Sequence, residues 1–373
     1  MAVRVALDVS AVPARPAGAG RYVVELATRV ATSTVQPLLL AQRGDAQRWR
    51  EWAPKAEVID LVPNSRPARL AYEAFALGRS SQVDADVWHG PHYTMPRRRK
   101  MPTVVTICDL TFFTNPEWHE KSKVLFFQRA IRYAARSADA LISISETTTK
   151  LLHEIVAPHA PVTTIPLGVN LDRFQPSDAG DVTLASFGLP MHVPYFFFLG
   201  TFEPRKGLDV LLEAFSMAAS QDSEVELWLA GQAGWGTDGL TSTIERHPFA
   251  NRIRRLGYVE DDAVPILMRQ SIAVCYPSRG EGFGLPVLEA MACGSQVITT
   301  AQTVMEEVAG GTATLVPIGD APALAEALSS AARRSANERS RYADAAYLRA
   351  SQFTWDSTVE AHRALYASLR ARA

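Results

Sequence analysis

The sequence predicts an α/β fold made of two units, each a parallel β-sheet covered by helices. Short β-rich runs alternate with helical periodicity along most of the 373 residues. The alternation stops in a polar stretch with Pro, Gly and Asp, residues 171–184, and then starts again. Because parallel strands need crossover connections, usually helices, this pattern on both sides of a linker indicates two doubly wound domains, residues 1–175 and 176–353.

In the first half, β-rich runs bounded by Gly, Pro or Asp predict strands, and apolar residues at helical spacing predict helices. The predicted strands are RVALDVS (4–10), ADVWHG (85–90), PTVVTICDL (102–110), ALISIS (140–145) and VTTIPLGVN (162–170). The predicted helices are GAGRYVVELATRVA (18–31), KVLFFQRAIRYAARSA (123–138) and one that begins at Ser145–Glu146.

The second half repeats the pattern. The predicted strands are YFFFLG (195–200), EVELWLAG (224–231), RIRRLGYV (252–259), IAVCYPS (272–278) and QVITT (296–300). The predicted helices run from about Gly207 to Ala219, over PVLEAMAC (286–293) and over the last residues, 354–373. Open parallel sheets bind ligands beyond the carboxyl ends of their strands, so functional residues are expected directly after strands.

The composition, 47% hydrophobic and 21% charged, is that of a soluble globular protein. Three scattered cysteines without a C-x-x-C pair predict that the protein resides in the reducing cytoplasm, and the N-terminus lacks signal-peptide architecture. The longest apolar runs, such as 193–200, are too short to span a bilayer. Residues 1–175 hold 22 Lys and Arg against 16 Asp and Glu. This excess of positive charge indicates either an anionic partner or a chance distribution of charged residues over the surface.

The stretch SRGEGFGLPVLEAMACGSQVITT (278–300) follows a predicted strand and places Glu281 eight residues before Glu289. Its glycines let the backbone bend sharply, and the start of the next helix offers amides and partial positive charge to an anion. Two carboxylates on either side of such an anion site fit a ligand with hydroxyls at both ends and phosphates between them. The pattern predicts a sugar-nucleotide site; a capped helix with two solvated glutamates is the structural alternative.

A second cluster, FFFLGTFEPRKGLDVLLEAF (196–215), also follows a strand. Arg205 and Lys206 stand side by side where a helix is about to begin, and together with its first amides they can neutralise a diphosphate without a metal ion. A pair of surface charges is the alternative.

Other patterns do not indicate sites. Asp84-Ala85-Asp86 precedes a strand rather than following one, and HEIVAPH (153–159) lacks the second His of a zinc helix. GAGRYV (18–23) lacks the third glycine of a dinucleotide fingerprint, and no zinc-ligand set or nucleic-acid motif is present. Residues 96–100, PRRRK, suit either an anionic lipid, a lipid-linked pyrophosphate or a solvated loop.

Nine segments in order resemble the retaining glycosyltransferases of the GT-B fold, family 4, in particular the mannosyltransferase-like group. They are GAGRY, TICDLTFFTNPEWH, ISISETT, IPLGVNLDRF, GTFEPRKGLDVLLEAF, LAGQAGWG, LGYVEDD, YPSRGEGFGLPVLEAMACGSQVITT and FTW. The resemblance implies two Rossmann-like domains facing across a cleft, with a C-terminal helix, about 354–373, crossing back to the first. It also implies that residues 1–175 bind the acceptor and residues 176–353 the sugar nucleotide.

The resemblance implies roles for individual residues. Glu281 would face the transferred sugar, Arg205 and Lys206 would hold the diphosphate, and Glu289 would bind the ribose. The catalytic residues would be Glu281, Arg205, Lys206 and Asp109. The donor would contact Gly18, Gly20, Arg205, Lys206, Gly231, Tyr258, Val259, Glu281, Gly282, Phe283, Gly284, Leu285 and Glu289.

The sequence departs from the family pattern at Cys108, where a His usually precedes the Asp. Cysteine cannot make the same contact to the donor sugar, so we expect Asp109, His89, His92 or His119 to position the acceptor. A structural role is the alternative for each of these histidines.

The implied reaction transfers a hexose, with retention, from a nucleoside diphosphate to a hydroxyl of a saccharide or lipid-linked acceptor in cell-surface polysaccharide synthesis. GDP-mannose is the expected donor and a UDP-hexose the next, with no bound cofactor and no metal. An epimerase, a phosphorylase and a non-catalytic sugar-nucleotide-binding subunit stay open as alternatives. The expected location is the cytoplasm, with peripheral association at the inner face of the membrane and no nucleic-acid partner.

Overall fold

The computed structural model describes residues 2–177, 183–220, 224–232, 234 and 239–372. Two compact units emerge, one formed by residues 1–168 with 355–373 and the other by residues 169–354. Part of the expected linker (178–182) and part of LAGQAGWG (233, 235 and 236) lie outside the described residues.

The first unit is built on a parallel sheet with the strand order β3-β2-β1-β4-β5-β6-β7 among its described residues. Its strands are β1 (Val3–Asp8), β2 (Val35–Gln42), β3 (Glu57–Val62), β4 (Val87–Gly90), β5 (Thr103–Ile107), β6 (Ala140–Ser143) and β7 (Val162–Thr164). The order reverses between β1 and β4, which makes the carboxyl ends of these two strands the place where such a sheet binds ligands.

Helices cover this sheet. They are α1 (Ala19–Arg29), α2 (Ala46–Trp52), α3 (Arg66–Phe75), α4 (Thr111–Thr114), α5 (Lys121–Ser137) and α6 (Glu146–Leu151), which continues as a π turn over Leu152–Val156. Single 3₁₀ turns lie at Leu77–Arg79 and Pro116–Trp118. Ser145 caps α6 by accepting a hydrogen bond from the Thr148 amide, as its sequence predicts.

The second unit has a parallel sheet with the order β10-β9-β8-β11-β12-β13. Its strands are β8 (Tyr195–Leu199), β9 (Glu226–Ala230), β10 (Ile253–Gly257), β11 (Ala273–Tyr276), β12 (Val297–Thr300) and β13 (Thr314–Val316). Its helices are α7 (Leu208–Ala219), α8 (Leu240–Glu245), α9 (Ala263–Gln270), α10 (Leu285–Ala292), α11 (Val304–Ala309), α12 (Ala321–Arg333) and α13 (Ala336–Ala350). Single 3₁₀ turns lie at Leu184–Phe187, Pro204–Lys206 and Ala250–Arg252.

The last helix, α14 (Trp355–Arg370), packs against α1, β1 and β4 and therefore belongs to the first unit. Its buried face includes Trp355, Val359, His362, Tyr366 and Leu369. Arg370 donates a hydrogen bond to the Ala2 carbonyl at 2.8 Å, so the two ends of the described chain meet in one domain.

The α/β fold with two parallel sheets, expected from the sequence, is confirmed. Strands buried on both faces read as continuous apolar runs, and β5, β6 and β11 are buried at every position. Three strands that the sequence analysis does not predict, β2, β3 and β13, complete the sheets. The strand expected over 162–170 ends at Thr164, before Pro166, which has no amide hydrogen for a ladder. No helix among the described residues has the length and apolar character needed to cross a bilayer.

Candidate active site

The two sequence clusters of the second unit meet at the switch point of its sheet. Arg205 and Lys206 lie on the 3₁₀ turn that follows β8, and Glu281 lies in the loop that follows β11, the neighbouring strand. Gly207 makes this approach possible. It has a φ of 69°, and a Cβ placed on it would lie 2.2 Å from the carbonyl oxygen of Pro277, so only glycine fits.

Glu281 is the centre of an ion-pair cluster. Its Oε2 lies 2.6 Å from a terminal guanidinium nitrogen of Arg205, and its Oε1 lies 2.5 Å from Nζ of Lys206. The side chains of Glu281 and Lys206 are only 10% and 8% exposed. The sequence analysis places all three residues in one site, and in the structure they are in direct contact.

Three further side chains hold this cluster in place. The hydroxyl of Tyr276 accepts a hydrogen bond from Lys206 at 2.5 Å and donates one to Glu281 at 3.0 Å. Oγ of Ser278 lies 2.9 Å from the same carboxylate, and Glu203 pairs with Nε of Arg205 at 2.8 Å. The sequence analysis did not identify Tyr276, Ser278 or Glu203, although polar residues two apart at the end of an apolar strand were a signal for the first two.

Burial and charge act in opposite directions in this cluster. Burial alone would raise the pKa of Glu281, but Arg205 and Lys206 outweigh it and lower that pKa to about 2. Burial, together with the charge of Arg205, lowers the pKa of Lys206 from its usual value of 10.5, although Glu281 opposes that shift. The carboxylate is therefore the internal counter-ion of two cations that have little contact with water.

The glycine loop leads from this cluster into α10. Gly284, with a φ of 93°, precedes the helix, and a Cβ there would lie 3.1 Å from Cγ of Met305. Gly282, Phe283 and Leu285 are buried around this turn. Glu289 lies in the second turn of α10 and is also buried, so the alternative of two solvated glutamates is wrong.

The remaining donor residues expected in this unit lie on other strand ends. Gly231 follows β9, and a Cβ on it would lie 1.9 Å from the carbonyl oxygen of Gly200, which requires glycine there. Tyr258 and Val259 follow β10, where Tyr258 is 47% exposed. All three therefore lie at the same edge of the sheet as Arg205 and Glu281.

In the first unit, Asp109 and His119 are joined through Thr111. Asp109 accepts hydrogen bonds from the amide and the hydroxyl of Thr111 at 3.0 and 2.7 Å, and Nε2 of His119 lies 2.8 Å from that hydroxyl. Burial lowers the pKa of His92 to about 4 despite the nearby Asp109, so this imidazole is neutral at physiological pH. Cys108 is buried with its thiol 3.8 Å from the Pro91 carbonyl oxygen, and burial raises its pKa.

His89 belongs to the core rather than to an open site. Its Nδ1 lies 2.7 Å from the hydroxyl of Tyr366, and its Nε2 lies 2.8 Å from the hydroxyl of Thr106. The hydroxyl of Tyr22 extends this network to Nε2 of His362 at 2.8 Å. Because both ring nitrogens have internal partners and the residue is fully buried, the structure favours a structural role over acceptor positioning for His89.

Gly18 and Gly20 lie at the start of α1. Gly18 has a φ of 51°, and a Cβ placed on it would have no neighbouring atom within 4 Å, whereas a Cβ on Gly20 would lie 3.3 Å from Cβ of Pro16. Gly20 is therefore constrained by packing and Gly18 by backbone conformation.

A buried group of charges that the sequence analysis missed lies at the switch point of the first sheet. Asp8 ends β1, and Glu73 of α3 lies close enough for the charge of Asp8 to raise its pKa. Burial is the main cause, and it raises the pKa of Glu73 to about 8. Arg69 donates to the Ser10 carbonyl at 3.0 Å. Across the described residues, no group of three or more His, Cys, Asp or Glu side chains is arranged to hold a metal ion.

Comparison with known families identifies the class of protein. The family described as "Glycosyl transferase 4-like domain" matches residues 17–168, and "Glycosyl transferases group 1" matches residues 183–349. Two parallel Rossmann-like sheets with a C-terminal helix on the first are the GT-B arrangement of such enzymes. The chain belongs to the group 1 glycosyltransferases of family 4, and the resemblance found in its sequence is confirmed.

Individual relatives agree with this assignment. O-antigen chain mannosyltransferase B of Escherichia coli is 30% identical over 286 residues, which cover 75% of this chain and 74% of the relative. Sucrose-phosphate synthase of Thermosynechococcus elongatus has a TM-score of 0.80 at 22% identity, with all of both chains covered. HepE of Anabaena, solved in complex with UDP-glucose, has a TM-score of 0.78 at 19% identity, with 98% of this chain and 100% of that chain covered. The two structures show that the fold is shared.

Proposed function

We propose that this glycosyltransferase moves a hexose from a nucleoside diphosphate to a hydroxyl, with retention of the anomeric configuration. The observation that carries the proposal is the buried cluster of Arg205, Lys206 and Glu281 at the switch point of the second sheet. Arg205 and Lys206 share Glu281, and Glu203 also pairs with Arg205, so the site offers a ligand diphosphate two adjacent cationic hydrogen-bond donors rather than a net positive charge.

In this proposal the second unit binds the donor. Arg205 and Lys206 hold the diphosphate, and Glu281 accepts hydrogen bonds from the hexose hydroxyls. Glu289 binds the ribose, the backbone at Gly282–Leu285 contacts the sugar or phosphate, and Gly231, Tyr258 and Val259 contact the nucleoside. Because Arg205 and Lys206 would neutralise charge on the bound diphosphate, we propose that the reaction needs no metal ion and no bound cofactor.

The chemistry follows from charge development on the leaving group. The bond between the anomeric carbon and the diphosphate oxygen breaks, and the sugar acquires oxocarbenium character. Arg205 and Lys206 stabilise the negative charge that grows on the departing phosphate, an arrangement fixed before the reaction begins. The acceptor oxygen bonds to the anomeric carbon on the face that the phosphate leaves, and its proton passes to that phosphate.

We propose GDP-mannose as the donor, because the relative of Escherichia coli with 30% identity is a mannosyltransferase. A UDP-hexose is the second candidate, because HepE, which has the same fold, was solved with UDP-glucose. The acceptor is a saccharide or lipid-linked hydroxyl compound of cell-surface polysaccharide synthesis, bound by the first unit near Asp109, His92 and His119, with Gly18 and Gly20 close by. The proposed location is the cytoplasm, at the inner face of the membrane.

Thermal unfolding in the presence of GDP, UDP and ADP and their hexose derivatives tests the donor. A ligand that binds only the native state at 100 times its Kd adds about 2.7 kcal/mol to the free energy of unfolding. We expect GDP and GDP-mannose to give the largest increase in Tm, with Arg205→Ala abolishing it. If none of the nucleotides raises Tm, or if Arg205→Ala leaves the increase intact, the proposed donor site is wrong.

A further inference from the structure

The first unit contains a cavity of about 320 Å³ between α3 and α5. Its walls are mainly apolar and include Leu70, Met95, Phe126 and Tyr133. Arg97 and Arg129 also line the cavity, and Glu73 lies in its wall. A space of this size accommodates a small ligand or one end of a longer one.

The arginines of this cavity lack an acidic partner among the residues that the structure describes. Within the described parts of the chain, no carboxylate lies within ion-pair distance of Arg97 or Arg129, and the same holds for Arg98, Lys100 and Lys121 nearby. Helix α5 holds five Lys and Arg residues and no Asp or Glu. The single acid of α3, Glu73, is 5% exposed, and burial raises its pKa to about 8, so it is mostly uncharged at neutral pH. Positive charge here is therefore unbalanced.

Exposed apolar side chains adjoin these cations. Leu125, which lines the cavity, is 51% exposed, and Phe75 at the end of α3 is 55% exposed. The Arg97 guanidinium lies 5.9 Å from the ring of Phe75 and 5.4 Å from the ring of Tyr133. Large exposed apolar side chains grouped around an apolar cavity indicate a binding surface.

We propose that the α3–α5 cavity binds an anionic lipid phosphate presented by a bilayer, with the phosphate on Arg97 and Arg129 and the hydrocarbon chain against Leu70, Leu125 and Phe126. This inference rests on the proposed function, because it assigns the acceptor to the class of phosphate-linked lipids. A wholly polar polyanion matches the arginines but leaves the apolar walls and Phe75 without a partner. An uncharged lipid leaves the arginines without one.

The first test is binding to vesicles, measured by co-flotation. The full chain is mixed with vesicles of phosphatidylcholine alone or with about one third phosphatidylglycerol. We expect binding only to the anionic vesicles. The double variant Arg97→Glu/Arg129→Glu should bind them at least about 30-fold more weakly, because each basic residue near an anionic surface contributes about fivefold. The matched control, Arg339→Glu/Arg341→Glu, changes the net charge equally on the exposed face of α13 and should bind like the parent.

The second test distinguishes binding of a hydrocarbon chain in the cavity from binding of a phosphate to the arginines alone. Decyl phosphate below its micelle concentration should raise Tm, and inorganic phosphate at the same concentration should not. Ala130→Trp fills the cavity from α5 and should remove the effect of decyl phosphate while both arginines remain. Equal effects of the two phosphates, or an unchanged effect in Ala130→Trp, would overturn the assignment of the chain to the cavity.

Two other outcomes also contradict the proposal. One is equal weakening of vesicle binding in both double variants, which would mean that net charge alone acts. The other is tighter binding to a single-stranded RNA of matched charge than to anionic vesicles. The nucleotide-induced rise in Tm is recorded on the same preparations. A rise in a variant shows that this variant is folded, and absence of the rise from the parent as well would contradict the donor site of the second unit rather than the cavity.

Discussion

Replacing Glu281 with Gln removes the carboxylate that Arg205 and Lys206 share, which leaves Arg205 with Glu203 and the buried Lys206 without an ion-pair partner among the described residues. The pKa of this carboxyl is about 2 in the folded protein against an ordinary value of 4.5, a difference of about 2.5 units. At about 1.36 kcal/mol per unit, the ionised carboxylate contributes about 3 kcal/mol to the free energy of unfolding at neutral pH. For a unit of this size we expect Glu281→Gln to lower Tm by about 6–12 °C.

The dependence on pH has a definite sign. Because the folded pKa lies below the unfolded one, the stabilisation is complete above pH 4.5 and is lost as the pH falls towards 2. The Gln variant is fixed in the uncharged condition that acid produces in the parent. Its deficit in stability should therefore be full at pH 7 and shrink below pH 4.5.

A nucleoside diphosphate should partly restore the variant. Its phosphates supply the negative charge that Arg205 and Lys206 have lost, so GDP or UDP should raise the Tm of Glu281→Gln by more than that of the parent. Turnover should remain absent, because the group that contacts the sugar is missing. Glu326→Gln, which removes an exposed charge from α12 of the same unit, is the control and should match the parent. A Tm within about 2 °C of the parent, or nucleotide stabilisation of the parent alone, would refute this reasoning.

Three further predictions concern other positions. Lys206→Met should reduce kcat/KM for donor turnover by about 10²–10³-fold, because it removes one preorganised cation from the leaving group; a loss below tenfold in steady-state assays would contradict that role. The contribution of Glu73 to stability should fall as pH rises from 4.5 to 8, because its raised pKa makes folding bind a proton in that window, whereas the buried histidines with lowered pKa values act in the opposite direction. The urea midpoint of the parent relative to that of Glu73→Gln should therefore be lower at pH 8 than at pH 5, and an equal or higher relative midpoint at pH 8 would contradict it. Gly207→Ala should destabilise the protein in chemical unfolding by several kcal/mol more than Gly188→Ala. Both glycines have a φ of 69°, but only at Gly207 would the added Cβ lie 2.2 Å from a carbonyl oxygen. Equal losses of stability would show that the close contact relaxes.

The candidate site of the second unit was largely predictable because its parts are local in sequence. Arg205, Lys206 and Glu281 each follow an apolar strand, and neighbouring parallel strands end at one edge of a sheet. The sequence does not predict that Glu281 pairs with both cations, because the approach depends on Gly207 and on the path of two loops that are 75 residues apart. Side-chain partners across such separations follow from the folded backbone.

The same reason explains what sequence reasoning missed in the first unit. Helical spacing predicts α14, but it does not indicate that Tyr366 hydrogen-bonds His89 from 277 residues away. Strand β2 holds Pro37, a residue that argues against a strand inside a sheet, yet Pro37 lies opposite Val5 of β1. A local sequence pattern predicts the type of an element more reliably than it predicts which elements that element contacts.

The position of α14 has a consequence for synthesis on the ribosome. His362 and Tyr366 are hydrogen-bond partners of Tyr22 and His89, so the core of the domain translated first lacks two polar contacts until the last helix emerges. The domain translated second has all of its strands available earlier. Until residues 355–370 leave the ribosome, the domain translated first therefore lacks its last helix although all of the domain translated second has already emerged, a reversal of the usual N-to-C order of maturation.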